Sequence, residues 1–357
     1  MLKKRIHRIF IGTAMAAAIV VIVAPAYAVD FAISGQVNRA TLYADDGKSA
    51  KWFFVDNNNS STRFRFRGSN DFEGGWKVGF LWEVEMKSNS SDQVSMSDDS
   101  DLGPINFNER HMDDWIEKWG TLRLGQGDTA TNGTSEVDLS GTDVAAYSSV
   151  ADVGGSFEFR DGSDKIGITV GGSRSNFDGL SRKDRIRYDT PRWAGFFASG
   201  SVEGNSEWDV AARYAGNFGW ARFAAAAGWA DFGTSSDSND GTRDGNFSSS
   251  ASMLFDFGLN LTASYAFRKQ DATDPWNLYG KIGYKFLKKH AASIQYSRTQ
   301  NLSAKDDKGD TFALAYVFTP WESVEFYGTY RLYMLDRDEG SDPDDINIVM
   351  SGIRVRF

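Results

Sequence analysis

No cysteine occurs in the 357 residues, and proline (6) and histidine (3) are sparse. Without cysteine an exported chain has no disulfide framework, so its stability must come from backbone pairing and packing. Only His111 and His290 lie beyond residue 28, and neither sits in a recognisable triad or metal-ligand pattern. No Gly-x-Ser-x-Gly elbow, no phosphate-cradling Gly-Lys-Ser/Thr loop and no His-Glu-x-x-His pair is present. The Asp-x-Asp-x-Asp-Gly pattern of a calcium loop is absent as well. These absences argue against an enzyme, and no cofactor or metal is expected. Beyond residue 28 no apolar run is long enough for a membrane helix.

The amino terminus carries Lys3, Lys4, Arg5 and Arg8, then an apolar stretch Ile9–Val23, then Pro25 and the small-x-small site Ala26-Tyr27-Ala28. That order is a secretory signal peptide spanning residues 1–28, with cleavage after Ala28. Losing those four basic residues, and no acid, takes the net charge from −9 to −13. So acidic a chain argues against a nucleic-acid partner.

The stretch Thr62–Lys87 sets the architecture. Its first arm places Arg63, Arg65 and Arg67 on one face and Phe64 and Phe66 on the other. Its second arm puts Trp76, Val78, Phe80, Trp82, Val84 and Met86 on one face and Lys77, Glu83, Glu85 and Lys87 opposite. A period of two means strand, and the Asn-Asp-Phe-Glu-Gly-Gly link is turn chemistry. A soluble sandwich would bury the aromatic face. A transmembrane barrel turns that face to lipid and the charged face to a wet lumen. The pattern recurs: Leu259, Leu261, Ala263, Tyr265 and Phe267 oppose Asn260, Thr262, Ser264 and Arg268. Sixteen such segments are read, joined by alternating tight turns and longer, acidic links. Asp45–Asn59 reads as one of the polar loops. The expectation is an all-β, sixteen-stranded antiparallel transmembrane β-barrel over residues 29–357. If Ile166–Gly171 joined the wall, the number would be eighteen. Because Phe64 and Phe66 face lipid, Arg63, Arg65 and Arg67 line water; Arg110 and Arg123 are the next lumen candidates. Ile105–Ile116 bears charges on both parities, which suits a protein contact outside or a bulge in the strand.

Several runs resemble the trimeric Gram-negative general-diffusion porins: Ile33–Ala40, the Arg67–Gly75 hairpin, Thr121–Gln126 and the terminal Ile353–Phe357. The resemblance implies an outer-membrane, water-filled channel for passive diffusion of small hydrophilic solutes and ions. It implies a homotrimer in outer-membrane lipid, and a terminal Phe357 read by the assembly machinery. It also implies that a third external loop, here 128–182, folds into the barrel and narrows it. On that loop Glu136, Asp138 and Asp143 are the carboxylates expected to face the arginines. Two other readings stay open. A substrate-selective channel for sugars would show a row of inward aromatics, for which Tyr279, Tyr327 and Tyr333 are the candidates. A surface β-protein for adhesion would enclose no water. An outer-membrane lipase would need a Ser–His pair, and neither histidine sits in one.

Overall fold

The computed structural model describes residues 29–97, 106–233, 243–270 and 273–357; residues 1–28, expected above to be a signal peptide, lie outside them. The strands in chain order begin with β1 (Asp30–Asp45), β2 (Ala50–Asp56), β3 (Arg63–Phe72), β4 (Trp76–Lys87), β5 (Asn106–Glu117) and β6 (Thr121–Asp128). A small hairpin, β7 (Glu158–Asp161) and β8 (Asp164–Thr169), stands apart as its own two-stranded sheet. The wall resumes with β9 (Arg182–Asp189), β10 (Phe196–Glu203), β11 (Trp208–Asn217), β12 (Ala221–Asp231) and β13 (Arg243–Phe255). It ends with β14 (Leu259–Gln270), β15 (Trp276–Phe286), β16 (His290–Gln300), β17 (Lys308–Trp321), β18 (Val324–Asp336) and β19 (Ile346–Arg356).

All pairings are antiparallel between neighbours, and β1 closes the ring on β19 from Gln36↔Arg356 to Asp45↔Asn347. The sheet has seventeen strands, yet β1 pairs β2 along Arg39–Asp45 and β3 along Asp30–Gln36. Thus β2 and β3 lie end to end in one wall position, and the barrel has sixteen. The eighteen-stranded alternative is ruled out because β7 and β8 pair only with each other. A second correction concerns Asp45–Asn59, which contains β2. Its Trp-Phe-Phe-Val core is apolar on both faces and so shows no alternation. The inward Phe53 ring packs edge-on against Phe157, 5.6 Å away.

The alternation is inverted relative to a soluble protein. Leu261, Tyr265, Leu278, Ile282, Ile294 and Leu314 are exposed, whereas Asn260, Thr262, Ser264, Asn277, Gln295 and Ser297 are buried. Only lipid outside and a polar interior satisfy such a wall, and closure leaves no unpaired edge. Trp119, Trp193, Trp220, Phe257 and Trp321 ring the short-turn rim, each more than half exposed, as an aromatic girdle requires.

The segment 129–181 runs inside the barrel. Its residues Val144, Ala145, Ala146, Val153, Phe157, Phe159 and Val170 form one core with the inward Leu42, Val55, Ile346, Ile348 and Met350 of the wall. Burying Phe157 and Phe159 contributes about 1.5–3 kcal/mol each. Elsewhere the loop is held by polar contacts: Ala130 N–H to Asp209 at 3.0 Å, Val137 N–H to Ser250 at 2.9 Å, and Leu139 N–H to Ser252 at 3.0 Å.

Candidate functional site

Between the inner edge of this loop and one quadrant of the wall lies a polar cavity of about 760 Å³. The wall side is built on β3, β4 and β5. Glu83 and Glu85 point inward from β4 and are almost fully buried. Arg110 donates from Nε to Glu83 at 2.9 Å and from Nη1 to Glu85 at 2.7 Å. Arg65 Nε reaches Glu83 at 2.7 Å, Arg63 lies 3.6 Å from it, and Lys87 lies 3.1 Å from Glu85. Four cations therefore share two carboxylates. The arginines of β3 stay close together because these acids answer them; like charges side by side on a strand face are otherwise unfavourable.

A β-bulge places Arg110 in this cluster. The β4–β5 register runs Glu83↔His111 and then Val84↔Glu109, so Arg110 is the extra residue. One extra residue turns neighbouring side chains to the same face, and His111 also points inward, 3.7 Å from Asp128. The charge on both parities of this strand thus arises from the bulge. Asp114 remains outward, opposite Phe80 and Leu124. Further around the wall, Arg182 pairs with Asp128 at 2.9 Å, Arg185 with Asp113 at 2.9 Å, Arg187 with Asp189 at 2.8 Å, and Arg123 lies 3.6 Å from both Asp113 and Asp189. Here too arginines outnumber carboxylates.

The loop side carries the opposite sign. Glu136, Asp143, Asp152 and Asp178 line the cavity, and among the described residues none is within ion-pair distance of a lysine or arginine. Glu136 accepts from Asn176 at 2.9 Å, and Asp178 from the backbone of Gly133 at 2.6 Å and of Ser135 at 2.9 Å. Asp152 accepts from Asn58 at 3.0 Å and from the Tyr147 hydroxyl. Burial pushes the Asp152 carboxyl up to about 6. Burial, then the facing Asp178 and Asp152 carboxylates, hold Glu136 well above the ordinary range, and burial raises Asp178.

Of the residues named from sequence, Arg63, Arg110, Glu136 and Asp143 line this one cavity. Arg65 and Arg67 lie further down β3 toward the short-turn rim, where Arg67 sits 5.6 Å over the Trp115 ring. Arg123 lies near the short-turn end of β6. Asp138 faces the wall: its carboxylate is 2.6 Å from the Lys281 ammonium, which, against the opposing effect of burial, holds it below the usual carboxylate value. Arg182, Arg268, Asp178 and the insert Asn58–Ser60 also line the cavity. Arg268 belongs to the polar face of β14 already visible in the alternation, whereas Arg182, Asp178 and Asn58–Ser60 occupy loop ends and a short break between β2 and β3, where no periodicity marks a face. Tyr279, Tyr327 and Tyr333 point inward but are buried, with hydroxyls on Gln295, Asn38 and the Val150 carbonyl.

A family model described as Gram-negative porin matches residues 13–338. Among solved structures, the anion-selective porin from Comamonas acidovorans is similar with a TM-score of 0.63 at 18% identity, over 92% of this chain and 100% of that one. A loop L8 deletion mutant of OmpT, an outer membrane protein of Vibrio cholerae, gives 0.60 at 13% identity over 93% and 100%. The outer membrane channel DcaP of Acinetobacter baumannii gives 0.59 at 12% identity over 92% and 97%. No curated protein matches the chain.

Proposed function

The chain belongs to the Gram-negative porins, and from that premise we propose that its pore is narrowed, and its solutes are sorted, between the arginine cluster of β3–β5 and the carboxylates of the inward loop. It is an outer-membrane diffusion channel, a passage through a barrel and not a site of bond-making chemistry. The observation that carries the proposal is the separation of sign across one cavity. Arg63 and Arg110 stand on the wall, while Glu136 and Asp143 stand on the loop, with no lysine or arginine among the described residues within ion-pair distance of them. In a space poor in bulk water such a field is screened weakly. Small ions travel along opposite sides, and a zwitterion crosses with its ammonium toward the loop and its carboxylate toward the wall.

The solutes expected are therefore small, hydrophilic and often dipolar. A sugar-selective channel needs exposed aromatic faces along the lumen, and the buried Tyr279, Tyr327 and Tyr333 offer none. Liposome swelling separates the two: a zwitterionic amino acid should enter faster than a neutral sugar of equal size, and the reverse order would refute the dipolar reading.

Residues 1–28 are proposed as a cleaved leader, Phe357 as the mark read during assembly, and a homotrimer as the working state. Two features of the outer face favour self-association. Phe66 stacks on Trp82 at 5.3 Å and on Phe31 at 6.0 Å, with Phe64 edge-on at 5.3 Å, an ordered aromatic patch. Asp114 adds a carboxylate to that apolar face, where lipid is a poor solvent for charge.

A further inference from the structure

The loop acids line one cavity only while residues 138–153 keep their path, and this path is set by wall side chains far from the arginine cluster. Three consecutive loop carbonyls each receive a donor from a different part of the wall. Val144 O accepts from Asn57 at 2.8 Å and Asn59 at 3.1 Å, in the insert between β2 and β3. Ala145 O accepts from Arg331 Nη2 of β18 at 2.9 Å. Ala146 O accepts from the Lys281 ammonium of β15 at 2.6 Å. Further on, Arg331 Nη1 donates to Val150 O at 2.7 Å.

Lys281 gathers more than one partner. Its ammonium lies 2.6 Å from Asp138 and 3.1 Å from the Thr142 hydroxyl, and its side chain is fully buried. Arg331 is also fully buried, and its charge is met chiefly by loop carbonyls. Burying a cation is costly unless partners meet its charge; in Arg331 the two Nη groups find loop carbonyls while Nε has no partner. Release of the loop would strand both charges, so both favour a single loop position.

We propose that Lys281 and Arg331 are positioning residues that fix the loop between Asp138 and Val150, and with it Asp143 and Asp152, so that the constriction is a fixed aperture and not a swinging gate. The proposal rests on the constriction reading above. It assigns Asp138 to the wall contact, with no part in facing solutes.

The test is single-channel recording from the full trimer in planar bilayers. Lys281→Met removes the ammonium and leaves the Asp138 carboxylate unanswered. Open-channel current noise should rise at least twofold and conductance should change. The chain has no cysteine, so Thr142→Cys with Ser293→Cys, whose hydroxyls lie 2.8 Å apart, adds one disulfide between loop and wall. In the Lys281→Met background that bond should restore a quiet channel, and a reductant should abolish the rescue. A general loss of packing would not be rescued. If Lys281→Met is as quiet as the parent, or the disulfide restores nothing, the proposal falls. Should Lys281→Met fail to assemble, Thr142→Val removes one partner of the ammonium and should still raise the noise; no change would overturn the idea. Asp143→Asn, recorded in parallel, keeps the two readings apart. If it shifts the reversal potential while Lys281→Met changes nothing, only the positioning role is lost. If it shifts nothing, the constriction reading fails by itself.

Discussion

Asp138 and Asp143 lie five positions apart on one loop, yet they face opposite ways. The first is held by Lys281 against the wall and the second is exposed to the lumen. Nothing local in sequence separates them, because the direction of a loop carboxylate is decided by a lysine more than a hundred residues away. The arginines of β3 were legible because a period of two leaves only one face for lipid. Their partners Glu83 and Glu85 were legible as a charged face, but the register that pairs them was not. The raised carboxylates give a pH prediction. Asp152 titrates near 6, and Glu136 and Asp178 are raised as well. An acid raised this way is neutral in a pH window where an ordinary carboxylate, near 4, still carries its charge. Lowering the pH from 7 to 5 should therefore remove negative charge from the loop and move the reversal potential toward anions. Asp152→Asn should remove the part of the shift centred near 6. A titration with its whole midpoint below 4.5 would contradict the assignment.

Strands were easiest to read where both faces keep their usual roles. β14 to β17 alternate cleanly because lipid meets one face and water or polar loop meets the other. Reading failed where the inward loop changes the solvent. The inward face of β2 and of upper β19 is apolar, with Phe53, Val55, Ile346, Ile348 and Met350, because the loop places a hydrophobic core inside the lumen. In β5 the period alone left a protein contact outside and a bulge as alternatives; the register shift beside Arg110 is the bulge, and it keeps Arg110 on the lumen side. The closing seam makes a sharp element-scale prediction. Gly35 and Phe357 exchange backbone hydrogen bonds of 2.9 and 3.1 Å. A Cβ on Gly35 would come within 2.6 Å of the Phe357 ring and of the Arg63 carbonyl. Gly35→Val and deletion of Phe357 should each reduce the fraction that migrates as a heat-modifiable folded species in gel electrophoresis. Parent-like yields from both would show that the seam does not limit folding.

For the whole molecule, the closed wall, the inverted burial and the aromatic girdle place the chain in lipid. The outward patch around Phe66 and Asp114 is the surface proposed for self-association. Replacing Phe66 and Trp82 by alanine should lower the temperature at which the oligomer dissociates to monomers while leaving the monomer folded; an unchanged dissociation temperature would move the interface elsewhere. The central claim, that opposite charges face one another across a single constriction, is tested most directly by reversal potentials under a salt gradient. Two variants are compared: Glu136→Gln with Asp143→Asn, and Arg63→Gln with Arg110→Gln. The first should shift the potential toward anions and the second toward cations. Both shifts should shrink in molar salt, where screening acts over roughly 3 Å instead of roughly 10 Å at 0.1 M. If the arginine variant shifts the potential and the loop variant does not, or both move it the same way, the two sides do not form one constriction.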